Sequence, residues 1–149
     1  MHEELNQNLI DGIVAINLNK ILIESYSYKT SNKIFYTNTN VLPSSILGKI
    51  NTDNTRNYKY EIINNDFLVS ATKCILPSQL SFAYAVAIAM QANAENIYMV
   101  GFDGYNTSDE KQQQMIEFIR ILNGKYNQPL TALTPTTYQV KNGSLYESY

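Results

Sequence analysis

The chain has one cysteine, Cys74, one histidine, His2, and no tryptophan in 149 residues. A lone cysteine closes no internal disulfide, and beside a single histidine it leaves too few soft donors for a zinc site. Charge is also sparse, with 11 basic and 13 acidic residues giving a formal net charge of −2. The basic residues are scattered, so there is no electrostatic footprint for nucleic acid and no polybasic membrane patch. No apolar run approaches the ~20 residues that span a bilayer. The opening MHEEL lacks the basic flank and apolar core of a signal peptide. Also missing are the glycine-rich dinucleotide fingerprint, the P-loop, the nucleophile elbow and the zinc-protease helix. These absences lead us to expect a cytoplasmic protein without a metal or cofactor of its own.

What is present is a 44% hydrophobic composition, which argues against disorder. A chain of this length fits one domain, 1–149, and on folding buries roughly 70% of its unfolded surface. Asn, Lys, Ile and Tyr are abundant, so an isolated Asn or Tyr carries little information. The most informative stretch is residues 78–105, SQLSFAYAVAIAMQANAENIYMVGFDGY. It reads as a buried apolar helix, a turn, a strand IYMV at 97–100, and a loop GFDGY where that strand ends.

Upstream, residues 3–10 suit a short helix with Leu5 and Ile10 inward, stopping at Asp11-Gly12. IVAI at 13–16 suits an interior parallel strand ending at Asn17. Residues 18–31 fit either a helix or an edge strand. KIFYT at 33–37 is a strand running into an Asn-rich loop, and residues 43–48 suit one helical turn. Residues 51–57 are polar and turn-rich; the alternation at 58–62 marks a half-exposed strand. An Asn64-Asn65-Asp66 turn would let it pair as a hairpin with residues 67–71, which also fit a helix or an irregular segment.

Ser78 is the expected N-cap of the apolar helix, and Thr107 with Glu110 has capping-box form for the next one. In that helix Met115, Phe118, Ile119 and Leu122 face inward, Lys111 to Gln114 and Arg120 face largely outward, and Asn123-Gly124 ends it. LTALT at 130–134 is a last core strand, broken by Pro135, and residues 141–144 form a turn. Alternating strands and helices predict an α/β fold, three-layer and Rossmann-like, with a mostly parallel sheet and helices on both faces.

In such a sheet ligands sit beyond the carboxyl ends of the strands. Asp103 is suited to accept from a ribose or sugar hydroxyl, Gly104 to permit close approach, and Tyr105 to offer a hydroxyl or a stacking face. The same loop also reads as a plain tight turn. Asn17 and Asn38 follow predicted strands and are candidates for contact with a base or phosphate, or ordinary turn residues. Ser78, Gln79 and Ser81 open a helix whose free amides suit an anion, or simply cap it. Asp109, Glu110 and Glu117 could form an acid–base set, but the first two better fit a first helical turn, where acids favour the dipole, and Glu117 falls on a mixed face. The expected start, a helix leading into IVAIN without a preceding strand and glycine loop, suggests a piece of a larger protein.

The run AYAVAIAMQANAENIYMVGFDGY, followed by LTALTPTTY, resembles the C-terminal domain behind HMG-CoA-lyase-like, 4-hydroxy-2-oxovalerate-aldolase-type barrels of bacterial proteins associated with surface-polysaccharide loci. The same pattern is similar to the nucleotide-binding half of bacterial CMP-sialic-acid-dependent sialyltransferases. The first resemblance implies an aldolase-like barrel as partner, with any divalent metal held by that barrel. The second implies Tyr105 at a phosphate, Asn17 at the nucleotide, and residues 78–81 at the helix-start loop. No histidine follows to act as base. The two together imply a non-catalytic or regulatory domain binding a nucleotide or nucleotide-sugar. The other classes are a fragment of a sialyltransferase-like glycosyltransferase and a structural docking module that forms a homo-oligomer.

Overall fold

The computed structural model describes residues 11–127, 130–144 and Tyr146. The helix expected at 3–10 lies outside the described residues. The chain forms two compact units, one ending at Tyr60 and the other starting at Glu61.

In the first unit, β1 (Gly12–Val14), β2 (Ile34–Thr37) and β3 (Thr55–Asn57) form a parallel sheet in that order. The register sets Ile13 opposite Phe35 and Tyr36 opposite Arg56. The ambiguous stretch between β1 and β2 is two short helices, α1 (Leu18–Ile23) and α2 (Ser25–Thr30). Asn17 starts α1 by accepting from the Lys20 amide at 3.0 Å, which satisfies one of the unpaired donors of the first turn. A 3-10 turn, Thr39–Val41, and α3 (Ser44–Leu47) follow β2. The core of this unit comprises Ala15, Ile21, Tyr28, Phe35, Leu42, Ile46 and Ile50. Tyr28 stacks on Phe35 with centroids 4.4 Å apart, and its hydroxyl donates to the Glu24 carboxylate. Burial first, and then that carboxylate, raise the Tyr28 pKa.

Strand β3 corrects the reading of residues 51–57 as turn alone. The turn is real, with Thr55 Oγ1 donating to the Asn51 carbonyl at 2.7 Å. However, the polar TRN that follows lies alongside β2. An edge strand needs only backbone groups on its paired side, so composition hides it.

β4 (Lys59–Ile62), β5 (Leu68–Val69) and β6 (Lys73–Leu76) form a second sheet in the order β4-β6-β5. The expected β4–β5 hairpin is therefore split by β6, a strand absent from the sequence reading. β6 pairs antiparallel with β5, Leu68 opposite Ile75. On its other side the Lys73 ammonium meets Glu61 at 2.8 Å, and the Ile63 amide donates to the Leu76 carbonyl at 3.0 Å. Cys74 and Leu76 are wholly buried, and this alternation fixes the face that packs under α4 (Ser81–Gln91).

The start of α4 is a second correction. Its N-cap is Leu80, without a side-chain hydrogen bond, and the Ser78 hydroxyl is buried with no partner. Leu80 donates its amide to the Ser78 carbonyl instead, so the chain is still turning at Ser78.

The third sheet is parallel: β7 (Ile97–Met99), β8 (Leu130–Ala132) and β9 (Lys141–Asn142), in that order. Ile97 sits opposite Leu130 and Ala132 opposite Asn142. β9 occupies the segment expected to be a turn. Between β7 and β8 runs α5 (Glu110–Lys125). Asp109, not Thr107, caps it, accepting from the Lys111 amide at 2.8 Å. The helix passes through Asn123-Gly124 to Lys125, where Tyr126 follows in extended conformation. Phe118 anchors α5 by edge-on contacts with Phe67 at 5.0 Å and Phe82 at 5.9 Å. Fully burying a side chain of this size contributes about 2–3 kcal/mol through the area it removes from water.

Candidate functional site

β7, β8 and β9 run parallel, so their carboxyl ends open on one edge of the sheet, where the chain must turn and expose backbone groups. The ladder continues one step beyond the strands: the Leu133 amide donates to the Met99 carbonyl at 2.9 Å, and the Gly143 amide to the Ala132 carbonyl at 2.8 Å. Past that point side chains take over.

The loop after β7, residues 101–105, is held by the segment after β8. The Gly101 amide donates to Thr134 Oγ1 at 2.9 Å, and Thr136 Oγ1 donates to the Phe102 carbonyl at 2.6 Å. The Thr137 amide donates to the Asp103 carbonyl at 3.1 Å. GFDGY and LTPTTY are thus two halves of one hydrogen-bonded edge. Gly101 and Gly104 have φ of 76° and 121°, conformations that L side chains resist. A Cβ on Gly104 would stand 2.3 Å from Thr137 Oγ1, so close approach as well as conformation requires glycine there.

Gln112 closes the far end of the loop. Expected on the outer face of α5, it is 6% exposed. Its Oε1 accepts from the Tyr105 amide at 2.9 Å and from the Tyr138 hydroxyl at 2.8 Å. Burial holds the Tyr138 hydroxyl above the ordinary phenol range. The missed signal was spacing. Residue 112 lies three before Met115 and seven before Ile119, on the stripe that faces inward.

Beside this edge lies an open cavity of about 300 Å³, lined by residues 132–135, 142–144 and Tyr146. It presents the hydroxyls of Thr134 and Ser144, the Asn142 amide, and the exposed ring of Tyr146. Thr134 Oγ1 already accepts from Gly101, so its hydroxyl hydrogen is directed elsewhere. Among the described residues the lining holds no carboxylate, imidazole, amine or thiol.

The predicted residues are distributed as follows. Asp103 is exposed, with its carbonyl used and its carboxylate unpaired among the described residues. Tyr105 is 47% exposed, and the Lys111 ammonium stands 5.8 Å from its ring centroid. None of residues 103–105 lines the cavity. Ser78, Gln79 and Ser81 lie between β6 and the first turn of α4, Gln79 exposed and the other two half-buried.

Asn17 and Asn38 belong to the other unit: Asn38 directly follows β2, whereas β1 stops at Val14, short of the expected 13–16, and Asn17 is the N-cap of α1. Asn38 is 3% exposed and accepts from the Asn40 amide at 3.2 Å. Asn57 joins it there, accepting from the Thr39 amide at 3.0 Å and donating to Asn40 Oδ1 at 3.1 Å. The acceptor oxygens of Asn17 and Asn38 serve amides three and two residues on, the usual work of N-caps and Asx turns.

Among the described residues no group of three or more His, Cys, Asp or Glu is placed to hold a metal ion, and no helix is long and apolar enough to cross a membrane. Burial pushes the Cys74 thiol up to about 12, which keeps it protonated and unreactive. No family model, curated protein or solved structure matches this chain.

Proposed function

We propose that this chain is a non-catalytic binding module of Rossmann-like, three-layer architecture whose ligand sits at the carboxyl ends of β7, β8 and β9. The ligand class is a nucleotide or nucleotide-sugar. The observation that carries the proposal is a cavity of about 300 Å³ at the ends of the parallel strands β8 and β9, whose mostly apolar lining carries the hydroxyls of Thr134 and Ser144 and the Asn142 amide. Hydroxyl and amide groups suit the hydroxyls of ribose or a hexose, while Tyr146 offers a ring face for stacking. Among the described residues the lining has no acid or base to activate its hydroxyls, which favours binding over chemistry. The architecture is supported by two strand–helix–strand units, β1 to β2 and β7 through α5 to β8, each with its strands parallel.

The similarity to aldolase-associated C-terminal domains gives the module its proposed setting in bacterial polysaccharide metabolism. An aldolase-like barrel is then its partner, and any divalent metal belongs to that barrel. Cytoplasmic residence follows from the same setting.

Isothermal calorimetry with CMP-, UDP- and GDP-linked sugars tests the proposal. One saturable site is expected, weakened at least tenfold by Asn142→Ala. Silence across the whole panel overturns it. Release of free sugar from a donor would favour the glycosyltransferase class instead, and a dimeric mass by light scattering without ligand response would favour a docking module.

A further inference from the structure

A second cavity, of about 340 Å³, lies along one face of α5 and shares no lining residue with the first. Ile116, Ile119, Arg120 and Asn123 line it from the helix, and residues 137–139 from the chain opposite. The helical positions are spaced i, i+3, i+4 and i+7, which aligns them on one face. The floor is apolar and firm: Ile119 is 3% and Tyr138 6% exposed. Tyr138 is pinned by its hydroxyl bond to Gln112 at 2.8 Å. Asn123 Nδ2 donates to the Gln139 carbonyl at 3.3 Å, which ties helix and segment together at one end. The cavity is therefore preformed, and its volume falls in the range of small-molecule sites, about 300–1,000 Å³.

Its charge has one sign. Among the described residues Arg120 is the sole charged one in the lining and makes no ion pair, and it is exposed. Ile116, 46% exposed, stands beside it as open apolar surface. A guanidinium presents a planar fork that matches a carboxylate in two parallel hydrogen bonds. A phosphate dianion is matched less well, because its second charge calls for a further cation and the described rim has one.

We propose that this cavity binds a small monocarboxylate with an apolar body, the carboxylate on Arg120 and the body across Ile116, Ile119 and the Tyr138 ring. Affinity then needs both parts of the ligand at once.

The test is a methyl NMR titration of the full chain with sodium 3-phenylpropionate, 3-phenylpropanamide as its neutral counterpart, and inorganic phosphate as charge alone. Saturable shifts at the Ile116 and Ile119 methyls are expected with the carboxylate. The amide should bind at least tenfold more weakly, and so should the carboxylate to Arg120→Gln, a surface change whose retained fold the same spectrum reports. The proposal is overturned by no saturable shift with 3-phenylpropionate, by equal affinity of the amide or of R120Q, or by tighter binding of phosphate.

Discussion

Tyr138 and Gln112 are joined by a 2.8 Å hydrogen bond from the phenol to Oε1, the same oxygen that receives the Tyr105 amide. One buried acceptor thus links the loop after β7, the helix α5 and the segment after β8. Replacing Gln112 with Leu removes the acceptor and leaves two donors to find others. With a buried unsatisfied donor costing about 1–3 kcal/mol, Q112L should lose about 2–4 kcal/mol in urea unfolding. Y138F should lose only about 1 kcal/mol, since it deletes the donor with the bond. The double variant should lose less than the sum, because both changes break the same contact.

Gly104→Ala combines a φ of 121° with a Cβ at 2.3 Å from Thr137 Oγ1. Strain and overlap together should destabilise the protein by about 2–4 kcal/mol. Gly101 is the control. Its φ is 76°, but nothing lies within 4 Å of its Cβ position, so G101A should cost about 1 kcal/mol, the conformational part alone. Thermal unfolding of the two variants checks the order.

Ser78→Ala deletes a buried hydroxyl that has no partner. A true N-cap serine loses about 1 kcal/mol on this change. Here stability should stay level or rise by up to about 1 kcal/mol, because an unsatisfied group is removed. Denaturant midpoints distinguish the two outcomes, and a calorimetric titration with CMP-sugar separately reports whether the hydroxyl serves a ligand.

Asp66 and Lys125 pair at 2.7 Å with both side chains well exposed. The hydrogen bond from Lys125 lowers the Asp66 pKa against a smaller opposing effect of burial, and the same bond raises that of Lys125. The lowered carboxylate pKa means that its contribution is present above the unfolded value and is lost as pH falls through the folded one. The raised lysine pKa means the reverse at the alkaline end. The difference in unfolding midpoint between the native chain and Asp66→Asn should therefore be small, level through neutral pH, and vanish in acid. It should also shrink in high salt.

Sequence alone determined what each stretch can be. The apolar runs made β1, β2, β7 and β8 legible, and the spacing of Met115, Phe118, Ile119 and Leu122 marked the inner face of α5, because burial leaves a periodic trace. GFDGY at the end of β7 was legible for the same reason, as a polar, glycine-bearing stretch after a buried strand. Only the tertiary structure decided the pairings. β3 beside β2, β6 between β4 and β5, and β9 on β8 are joined through backbone groups that nearly every residue carries, so no side-chain pattern announces them. Likewise Ser78 looks like a cap and is not one, while Gln112 looks exposed and holds the loop. A polar side chain's role depends on the donors that distant segments bring to it. For Gln112 those donors, Tyr105 and Tyr138, lie 7 and 26 residues away in sequence.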